Sequence, residues 1–246
     1  MTAARRSFEI LDVLAAEGQL GTTEIARRVG TTPSTISRAL GTLVEADLVE
    51  HDPGSGQYRL GLRLVQLGNA VLARLDVREI ARPQLEALVR DVDETATLSI
   101  PGDPDAVTID VVQASHQVQG VTQLGRPSIA HATAAGKVML AFTERIPATT
   151  LRRYTPRTIT SRAKLEAELE RVRARGWADA YEEREPELNA IAAPVFDATG
   201  RLVGIVALQG PVRRFGRAAA KRALPLLLAR THEIARALGH SPNSGK

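Results

Sequence analysis

The sequence predicts an α+β protein in which a small helical module precedes a domain built on an antiparallel sheet. Three short helical patterns and one strand–turn–strand pattern fill the first sixty residues. After residue 78, short stretches of alternating apolar and polar residues are interleaved with helical patterns. Alternation of this kind is typical of antiparallel strands, because parallel strands are usually buried on both faces. The chain of 246 residues is long enough for two domains.

The first three helical patterns follow one another closely. FEILDVLAAEG has apolar residues at helical spacing and ends in glycine. In TTEIARRVG we expect Thr22 to cap the helix, Glu24 to lie near its positive end and Gly30 to end it. In TTPSTISRALGTLVEADLVE we expect Thr32 as the cap and Pro33 at the first helical position, where its missing N–H is not needed. The sequence therefore predicts three consecutive helices.

A short hairpin follows the third helix. LVEHD and QYRLG are extended runs, and PGSG between them has strong turn chemistry. Ile36, Leu40 and Leu43 fall on one face of the third helix, which leaves its polar face free. Helix, helix, turn, helix and hairpin in this order predict a winged helix-turn-helix. In such DNA-binding modules the third helix enters the major groove.

Polar side chains of this module are the candidate DNA contacts. Arg38 suits a guanine or a phosphate, whereas Ser34 and Thr35 suit phosphates. Arg5 and Arg6 are expected ahead of the first helix, within reach of the minor groove, with a disordered tail as the alternative. An ordinary exposed residue is the alternative for each serine and threonine. The full candidate set is Arg5, Arg6, Thr23, Thr32, Ser34, Thr35, Ser37, Arg38 and, on the hairpin, Arg59.

Charge is unevenly distributed along the chain, which carries +4 overall. Residues 1–60 contain six arginines and no lysine against eight acidic residues, a net charge of −2. The basic excess lies in residues 213–246, where a solvated helix face is the simpler explanation. Non-specific DNA affinity comes largely from neutralised phosphates, so the acidic module has little of it. We therefore expect a dimer that joins two half-sites of a palindromic operator.

Helices and strands alternate through the rest of the chain. LRLVQLGNAVLARLDV predicts a connecting helix over residues 62–77 and a candidate dimer contact, and REIARPQLEALVRDVDE predicts a second helix. TATLSI, DAVTIDVVQA and HQVQGVTQLG read as strands, TAAGKVMLAF and RAKLEAELERVRARG as helices, and NAIAAPVFD with LVGIVALQG as a hairpin. In the final helix, RAAAKRALPLLLARTHEIARALG, Pro225 predicts a kink or break near Leu224.

The stretch HATAAGKVMLA tests the idea of a nucleotide-binding enzyme. A phosphate-binding loop needs Gly-x-x-x-x-Gly-Lys followed by Ser or Thr. Here His131 occupies the position of the first glycine, and Val138 follows Lys137 where the hydroxyl should stand. Both ends of the motif fail, so the sequence argues against nucleotide binding.

Other classes of protein find little support either. The five histidines show no paired metal-ligand spacing, and the chain has no cysteine for a thiolate site, a disulfide or a nucleophile. Asp179, Glu182, Glu183, Glu185 and Glu187 cluster, as in an exposed loop rather than a tuned catalytic pair. No apolar run approaches the length of about 18 residues needed to cross a bilayer. We expect a cytoplasmic protein with no catalytic residue, metal or cofactor.

Three blocks of the sequence together resemble the IclR family of bacterial transcription regulators. The first is FEILDVLAAEG with TTEIARRVGTTPSTISRALGTLVEADLVEHDPGSGQYRLG. The second is LGRPSIAHATAAGKVMLA, and the third is GWADAYEEREPELNAIAAPVFDATGRLVGIVALQGP. Each block is moderately specific, and the three in this order and spacing are highly specific. The resemblance covers almost the whole chain.

The resemblance implies a GAF-like effector domain with a curved antiparallel sheet, and an assembly of dimers or tetramers. It implies that the turn from Ala134 to Lys137 begins a helix that lines an effector pocket. Small residues there let a ligand approach the backbone, and the N–H groups at a helix start favour an anionic group. Lys137 in the first turn is expected to be structural rather than catalytic.

The sequence departs from the family pattern at several polar anchors. Ala180 and Tyr181 stand where relatives that bind small carboxylates have two aspartates, Ala190 stands for a cysteine, and Ala207 and Gln209 replace small hydroxyl residues. A buried polar ligand group without a partner is destabilised by roughly 1–3 kcal/mol, so we expect a larger and more apolar effector, aromatic or acyl. The candidate pocket residues are His116, Gln117, Val121, Ile129, His131, Ala134, Ala135, Ala180, Ala190, Ala207 and Gln209, with Gln117, His131 and Gln209 as the polar members.

These patterns divide the chain into a winged helix-turn-helix over residues 1–61, a connecting helix over 62–77, an effector domain over 78–240 and a disordered tail over 241–246. We expect a transcription regulator, a repressor, whose effector shifts the placement of the recognition helices through the connecting helix. Two alternatives remain at this point. One is an enzyme that uses the GAF-like domain, and the other is a regulator whose pocket is filled by side chains and binds no effector.

Overall fold

The protein forms two compact units, Met1–Arg74 and Leu75–Lys246. They are seen in a computed structural model that describes residues 3–72, 76–114, 124–125, 127–143 and 151–240. The predicted tail over 241–246 lies outside this part of the chain. None of the helices in it is long and apolar enough to cross a membrane.

The first unit is a winged helix-turn-helix, which confirms the prediction. The elements are α1 (Ala3–Glu17), β1 (Leu20–Gly21), α2 (Thr22–Val29), α3 (Pro33–Glu45), β2 (Val49–Asp52) and β3 (Gln57–Leu60). Strands β2 and β3 form the hairpin, and the short strand β1, between α1 and α2 in sequence, pairs with the other edge of β3 to give an antiparallel sheet of order β1-β3-β2.

One apolar core holds the three helices of this unit together. Ile10 from α1, Ile25 from α2 and Ile36 from α3 are completely buried in it, together with Leu14 and Leu40. Burying a side chain of this size stabilises the fold by about 1.5–3 kcal/mol relative to leaving it exposed. The helical spacing of the apolar residues therefore fixes which face of α3 is inside and which is free.

Two local predictions for this unit are wrong. Strand β1 was not expected, because two residues are too few to show an alternating pattern. Thr22 is the first residue of α2 rather than its cap, and Gly21 holds the capping position while it pairs with Gln57 in the sheet. Thr32 does precede α3 and Pro33 is its first residue, as predicted, but the Thr32 hydroxyl bonds to side chains rather than to a backbone N–H.

Two helices follow, as predicted, but the first ends before residue 77, to which the predicted connecting helix extended. The first, α4, spans Arg63–Leu72, and the second, α5, spans Asp76–Val92. Asp76 and Val77, which the prediction gave to the connecting helix, are thus the first residues of α5.

The second unit contains a six-stranded antiparallel sheet of order β6-β5-β4-β9-β8-β7, which confirms the predicted fold class. The strand predicted from HQVQGVTQLG falls mainly on residues outside the described part of the chain, and β6 and β7 were not predicted. The strands are β4 (Thr95–Ile100), β5 (Ala106–Val112), β6 (Pro127–Ser128), β7 (Ala178–Tyr181), β8 (Leu188–Phe196) and β9 (Leu202–Pro211).

Helices cover both faces of this sheet. They are α5 (Asp76–Val92), α6 (Ala134–Thr143), α7 (Arg162–Arg175) and α8 (Arg217–Ala237). On β9, Ile205 and Ala207 share a core with α6 and α7, whereas Gly204 faces Val77 of α5. Since alternate residues of a strand point to opposite faces, α6 and α7 lie on one side, and α5 lies on the other together with α8, which packs against it.

Helix α8 runs through Pro225 without the predicted break. Pro225 and Lys221, the residue four positions before it, are both exposed, so water can bind the Lys221 carbonyl that the proline leaves without an N–H. Ala223 and Leu227 on either side are buried against the sheet domain. Packing on both sides of the proline therefore holds the helix together.

The start of α6 is packed against the preceding turn at backbone distance. A Cβ atom added to Gly136 would lie 2.5 Å from the Ala130 Cα and 2.5 Å from the Ile129 carbonyl oxygen. Both neighbours are backbone atoms and cannot move aside cheaply. Gly41 in α3, by contrast, has nothing within 4 Å of such a Cβ.

We expect Gly136→Ala to lower the free energy of unfolding by about 1–3 kcal/mol, because it overpacks backbone against backbone. Gly41→Ala should raise it by about 0.5–1 kcal/mol through better helix propensity. Urea unfolding of both variants measures the two effects. A Gly136→Ala protein as stable as the parent would show that the turn and α6 are not in close contact.

Candidate DNA-binding and effector-binding sites

The polar face of α3 is exposed, as expected of a recognition helix. Ser34, Ser37 and Arg38 are exposed on it, while Ile36 and Leu40 are completely buried on the opposite face. The Arg38 carbonyl accepts a hydrogen bond from the Thr42 hydroxyl, but the guanidinium has no hydrogen bond or ion pair to a described residue and is available to a base or a phosphate.

A cluster of hydroxyl groups marks the start of α3. The Thr32 Oγ1 atom lies 3.2 Å from the Ser34 Oγ atom and 2.9 Å from the Thr35 Oγ1 atom. Backbone N–H groups at a helix start and neighbouring hydroxyls together suit a phosphate oxygen. The structure therefore brings three of the candidate DNA contacts together.

The other arginines of this unit are largely committed to carboxylates. The Arg59 Nη2 atom lies 2.8 Å from the Glu50 Oε2 atom across the hairpin. Arg28 bridges Glu17 of α1, at 2.6 Å, to Glu24 of its own helix. Its hydrogen bond to Glu17 lowers the pKa of that carboxyl. These pairs agree with the net negative charge of the module, and they leave Arg59 with only part of its charge for DNA.

Arg5 and Arg6 lie inside α1, which begins at Ala3, rather than ahead of the first helix. The predicted position ahead of the first helix and the disordered-tail alternative are therefore both wrong, whereas contact with the minor groove stays a prediction. Arg5 contacts Glu9 one turn later at 3.3 Å, and the Arg6 Nε atom is buried without a partner in the described structure. Thr23 is exposed at the start of α2.

A cleft opens in the second unit between the start of α6 and the sheet. Its cavity volume is about 80 Å³, and the cleft is partly open to solvent. The residues that line it come from the turn before α6, from strands β4 to β9 and from the loop after β7, and they are Thr97, Thr108, Pro127, Ser128, Ala132, Thr133, Ala134, Ala135, Ala180, Glu183, Arg184, Glu185, Leu188, Ala190, Ala207 and Gln209.

Six of the predicted pocket residues line this cleft together, and they are Ala134, Ala135, Ala180, Ala190, Ala207 and Gln209. Register explains part of the set, since Ala190 pairs with Ala180 on one side and with Gln209 on the other. His116, Gln117 and Val121 lie outside the described residues.

Ile129 and His131 are not among the lining residues. His131 is buried, and its Nε2 atom donates to the Arg152 carbonyl oxygen at 2.9 Å while its ring packs beside Tyr154. The Ile129 carbonyl accepts a hydrogen bond from the Thr133 hydroxyl at 3.0 Å. Both residues support the turn behind the cleft wall, and the structure gives His131 a backbone partner in place of a ligand.

The start of α6 forms one wall of the cleft. Thr133 caps this helix, because its Oγ1 atom accepts the Gly136 N–H at 3.0 Å. Ala134 and Ala135 are the first two residues of the helix, where N–H groups have no acceptor within the helix. Their methyl groups leave the space in front of the backbone open to a ligand.

Sequence reasoning missed the hydroxyl groups of the cleft floor. Thr97 on β4 lies directly opposite Ala207 on β9, and Thr108 on β5 bonds to Ser99 at 3.2 Å between hydroxyl oxygens. The alternation of TATLSI placed a hydroxyl at every second residue, which was the available signal. Polar groups lost from β9 are thus partly replaced by neighbouring strands.

Lys137 is completely buried behind this wall. Its exposed fraction is 1%, and its Nζ atom donates to the Asp179 carbonyl at 2.9 Å and to the Glu183 Oε1 atom at 2.7 Å. Glu183 itself is 12% exposed, so the lysine is buried and its carboxylate partner is largely shielded from water. This agrees with the structural role expected for Lys137, whereas the acidic loop is less exposed than its composition suggested.

Burial raises the pKa of Glu183, and the charge and hydrogen bond of Lys137 act in the opposite direction. The second oxygen of Glu183, Oε2, is buried and has no partner in the described structure. The backbone of the same loop is held by Thr155, whose hydroxyl donates to the Glu182 carbonyl at 2.6 Å, and by Thr158, whose hydroxyl donates to the Glu183 carbonyl at 2.6 Å. The loop that closes the cleft is therefore fixed from both sides.

We expect Lys137→Met to lower the free energy of unfolding by about 3–5 kcal/mol near neutral pH, because it leaves a buried carboxylate without its cation. The double variant Lys137→Met/Glu183→Leu should recover most of this loss. Arg162→Met, which breaks an exposed pair with Glu166, should cost less than about 1 kcal/mol. Denaturant unfolding compares all three.

The loss in Lys137→Met should also depend on pH. A carboxyl whose pKa in the folded state is raised above 4.5 binds its proton more tightly in the folded than in the unfolded chain. The penalty is therefore absent while Glu183 is protonated and grows as the pH rises above 4.5. A loss that is equal at about pH 5 and about pH 8 would contradict this reading of the pair.

Known proteins resemble the chain in both units. The family models described as "Bacterial transcriptional regulator IclR C-terminal" and "IclR helix-turn-helix domain" match residues 69–236 and 3–53. The HTH-type transcriptional regulator KdgR of Escherichia coli K12 is 30% identical over 246 residues, 98% of this chain and 94% of the relative. The HTH-type transcriptional repressor AllR of Salmonella typhi is 31% identical over 219 residues, 86% and 80% of the two chains.

A solved structure gives the same answer. The crystal structure of Thermotoga maritima IclR is 30% identical in sequence, with a TM-score of 0.73 over 96% of this chain and 98% of that one. The family and the relatives are transcriptional regulators rather than enzymes, which confirms the predicted class of protein and removes the enzyme alternative. The chain belongs to the IclR family of bacterial transcriptional regulators.

Proposed function

We propose that this IclR-type regulator is a repressor whose operator binding is controlled by a small, fairly apolar effector, aromatic or acyl, in the cleft beside α6. The observation that carries the proposal is the lining of the cleft, in which methyl groups surround a helix start. AllR, a transcriptional repressor that is similar over 86% of this chain, supports the sign of regulation.

The chemistry of the lining favours an effector with an apolar body. Five alanines from α6, β7, β8 and β9 line the cleft, and an aromatic ring buried against them gains from the area removed from water. Hydroxyls of Thr97 and Thr108 at the floor can orient one polar group of the ligand.

Operator recognition is assigned to the exposed face of α3. Arg38 reads a base edge, and the hydroxyl cluster of Thr32, Ser34 and Thr35 holds a phosphate. Because the module has a net charge of −2 and most of its arginines are paired, one copy has little diffuse affinity for DNA. Two copies on a palindromic site supply the missing affinity.

A homodimer, alone or as a dimer of dimers, fits an apolar strip that begins just before α4. Leu62, Val65 and Leu67 are exposed by 72%, 56% and 51%. Apolar side chains this exposed in a short segment are typical of a protein interface. A second copy of the chain is the partner that a two-fold symmetric operator requires.

A thermal-shift screen of the whole chain against aromatic acids, their amides and esters, and small keto acids tests the effector. A ligand that binds the folded state raises the melting midpoint. Shifts with aromatic compounds support the proposal, and shifts with small keto acids alone contradict its apolar part. If no compound shifts the midpoint, a regulator without an effector is the better account.

We expect Ala190→Leu to abolish the ligand-induced rise in the melting midpoint, because the added carbons fill the cleft. Ala190 is only partly buried, so the unliganded protein should melt within a few degrees of the parent. Ala218→Leu on the exposed start of α8 is the matched control and should leave the rise unchanged. An undiminished rise in Ala190→Leu would place the ligand elsewhere.

We expect Arg38→Ala to weaken binding to the preferred operator by about tenfold to hundredfold, the value of one bidentate base contact. Arg38→Lys keeps the positive charge but loses the forked pair of N–H donors. The variant should therefore lose the preference for the operator over other duplexes, while the salt dependence of its DNA affinity stays the same. Fluorescence anisotropy with operator and scrambled duplexes separates the two. Equal losses on both duplexes would make Arg38 a phosphate contact instead.

A further inference from the structure

One cation in the wall of the effector cleft has no anionic partner in the described structure. Arg184 lines the cleft in the loop after β7, is half-buried, and forms neither an ion pair nor a hydrogen bond there. Its guanidinium carbon lies 4.2 Å from the centre of the Tyr154 ring. The contact holds the guanidinium in place through its flat face.

A guanidinium held in this way still has its hydrogen-bond donors free. Stacking uses the face of the planar group, whereas its five N–H donors lie in the plane. Two of them match the two oxygens of a carboxylate, which gives a paired and charge-assisted contact. A partly buried cation without a partner is unfavourable, and an anionic ligand would offset that cost.

The other charged groups of the cleft are already engaged. Glu183 is paired with the buried Lys137 at 2.7 Å, so these two charges balance. Glu185 also has an interaction within the protein. Ala134 and Ala135 at the start of α6 line the same cleft, and the positive end of a helix favours an anion.

We propose that Arg184 is the residue that selects effectors carrying a carboxylate, by a paired contact to that group, while the alanines hold the apolar body. The effector class is then an aromatic or acyl carboxylate rather than its neutral amide or ester. The inference rests on the proposed effector cleft. It adds that the effector is negatively charged and that Arg184 is the residue that binds this charge.

Arg152 provides a matched control for this assignment. Its guanidinium carbon is 5.4 Å from the same Tyr154 ring, but Arg152 is exposed and does not line the cleft. Both arginines therefore contribute one positive charge beside one ring. They differ in access to the ligand, so a general electrostatic effect would appear in both variants and a direct contact in Arg184 alone.

Calorimetric titration of the full chain with benzoate and benzamide, and with phenylacetate and phenylacetamide, tests the proposal. The parent should bind each acid at least about tenfold more tightly than its amide. Arg184→Gln should weaken the acids by about tenfold to hundredfold and change the amides less than about threefold. Arg152→Gln should keep the preference for acids. Arg184→Lys should keep part of it, since it retains the charge without the fork.

The outcomes separate this inference from the function on which it rests. If acids and amides bind equally, or Arg184→Gln and Arg152→Gln weaken the acids equally, Arg184 does not select carboxylates, although the cleft still binds an effector. If neither acids nor amides bind, and Ala190→Leu changes nothing, the proposed effector function itself fails. Melting midpoints of all variants show that each is folded, and a loss confined to acids cannot come from unfolding.

Discussion

The effector domain depends on the buried ion pair between Lys137 and Glu183. These residues are 46 positions apart in the chain, and the 2.7 Å contact between them joins the helix that forms one wall of the cleft to the loop that forms another. Because both side chains are shielded from water, neither tolerates the loss of the other. The lysine that made HATAAGKVMLA resemble a phosphate loop is thus buried outside the cleft lining, where it joins α6 to the loop after β7.

Small side chains serve two purposes around this pair. Gly136 allows α6 to touch the preceding turn, and the alanines beside it leave a cleft where larger residues would have filled the core. The small side chains therefore leave open the space between the start of α6 and the sheet, and Arg184 places a positive charge in the lining of that space. In the DNA-binding unit several arginines are paired with carboxylates. We propose that Arg38 and the hydroxyl cluster at the start of α3 supply recognition there.

The winged helix-turn-helix and the antiparallel sheet could be predicted from the sequence, because helical spacing, turn residues and alternation are local signals. The family blocks also pointed to the six residues that meet in the cleft. Thr97 and Arg184 were missed because their place depends on strand register and on a ring contributed by another segment. His131 was misplaced because no local pattern shows that a carbonyl, here that of Arg152, already occupies its ring nitrogen. Pro225 does not break α8, because burial of Ala223 and Leu227 on either side of it outweighs the one backbone hydrogen bond that the proline cannot donate.

We propose that occupancy of the cleft changes the affinity for DNA. The most direct test uses a duplex that the protein itself selects from a random pool, with affinity measured by fluorescence anisotropy at one fixed salt concentration. An aromatic carboxylate that raises the melting midpoint is then added to saturation. The account predicts a change in operator affinity of about 5-fold to 150-fold, the usual range of coupling between two sites. An unchanged affinity with the cleft fully occupied would contradict it.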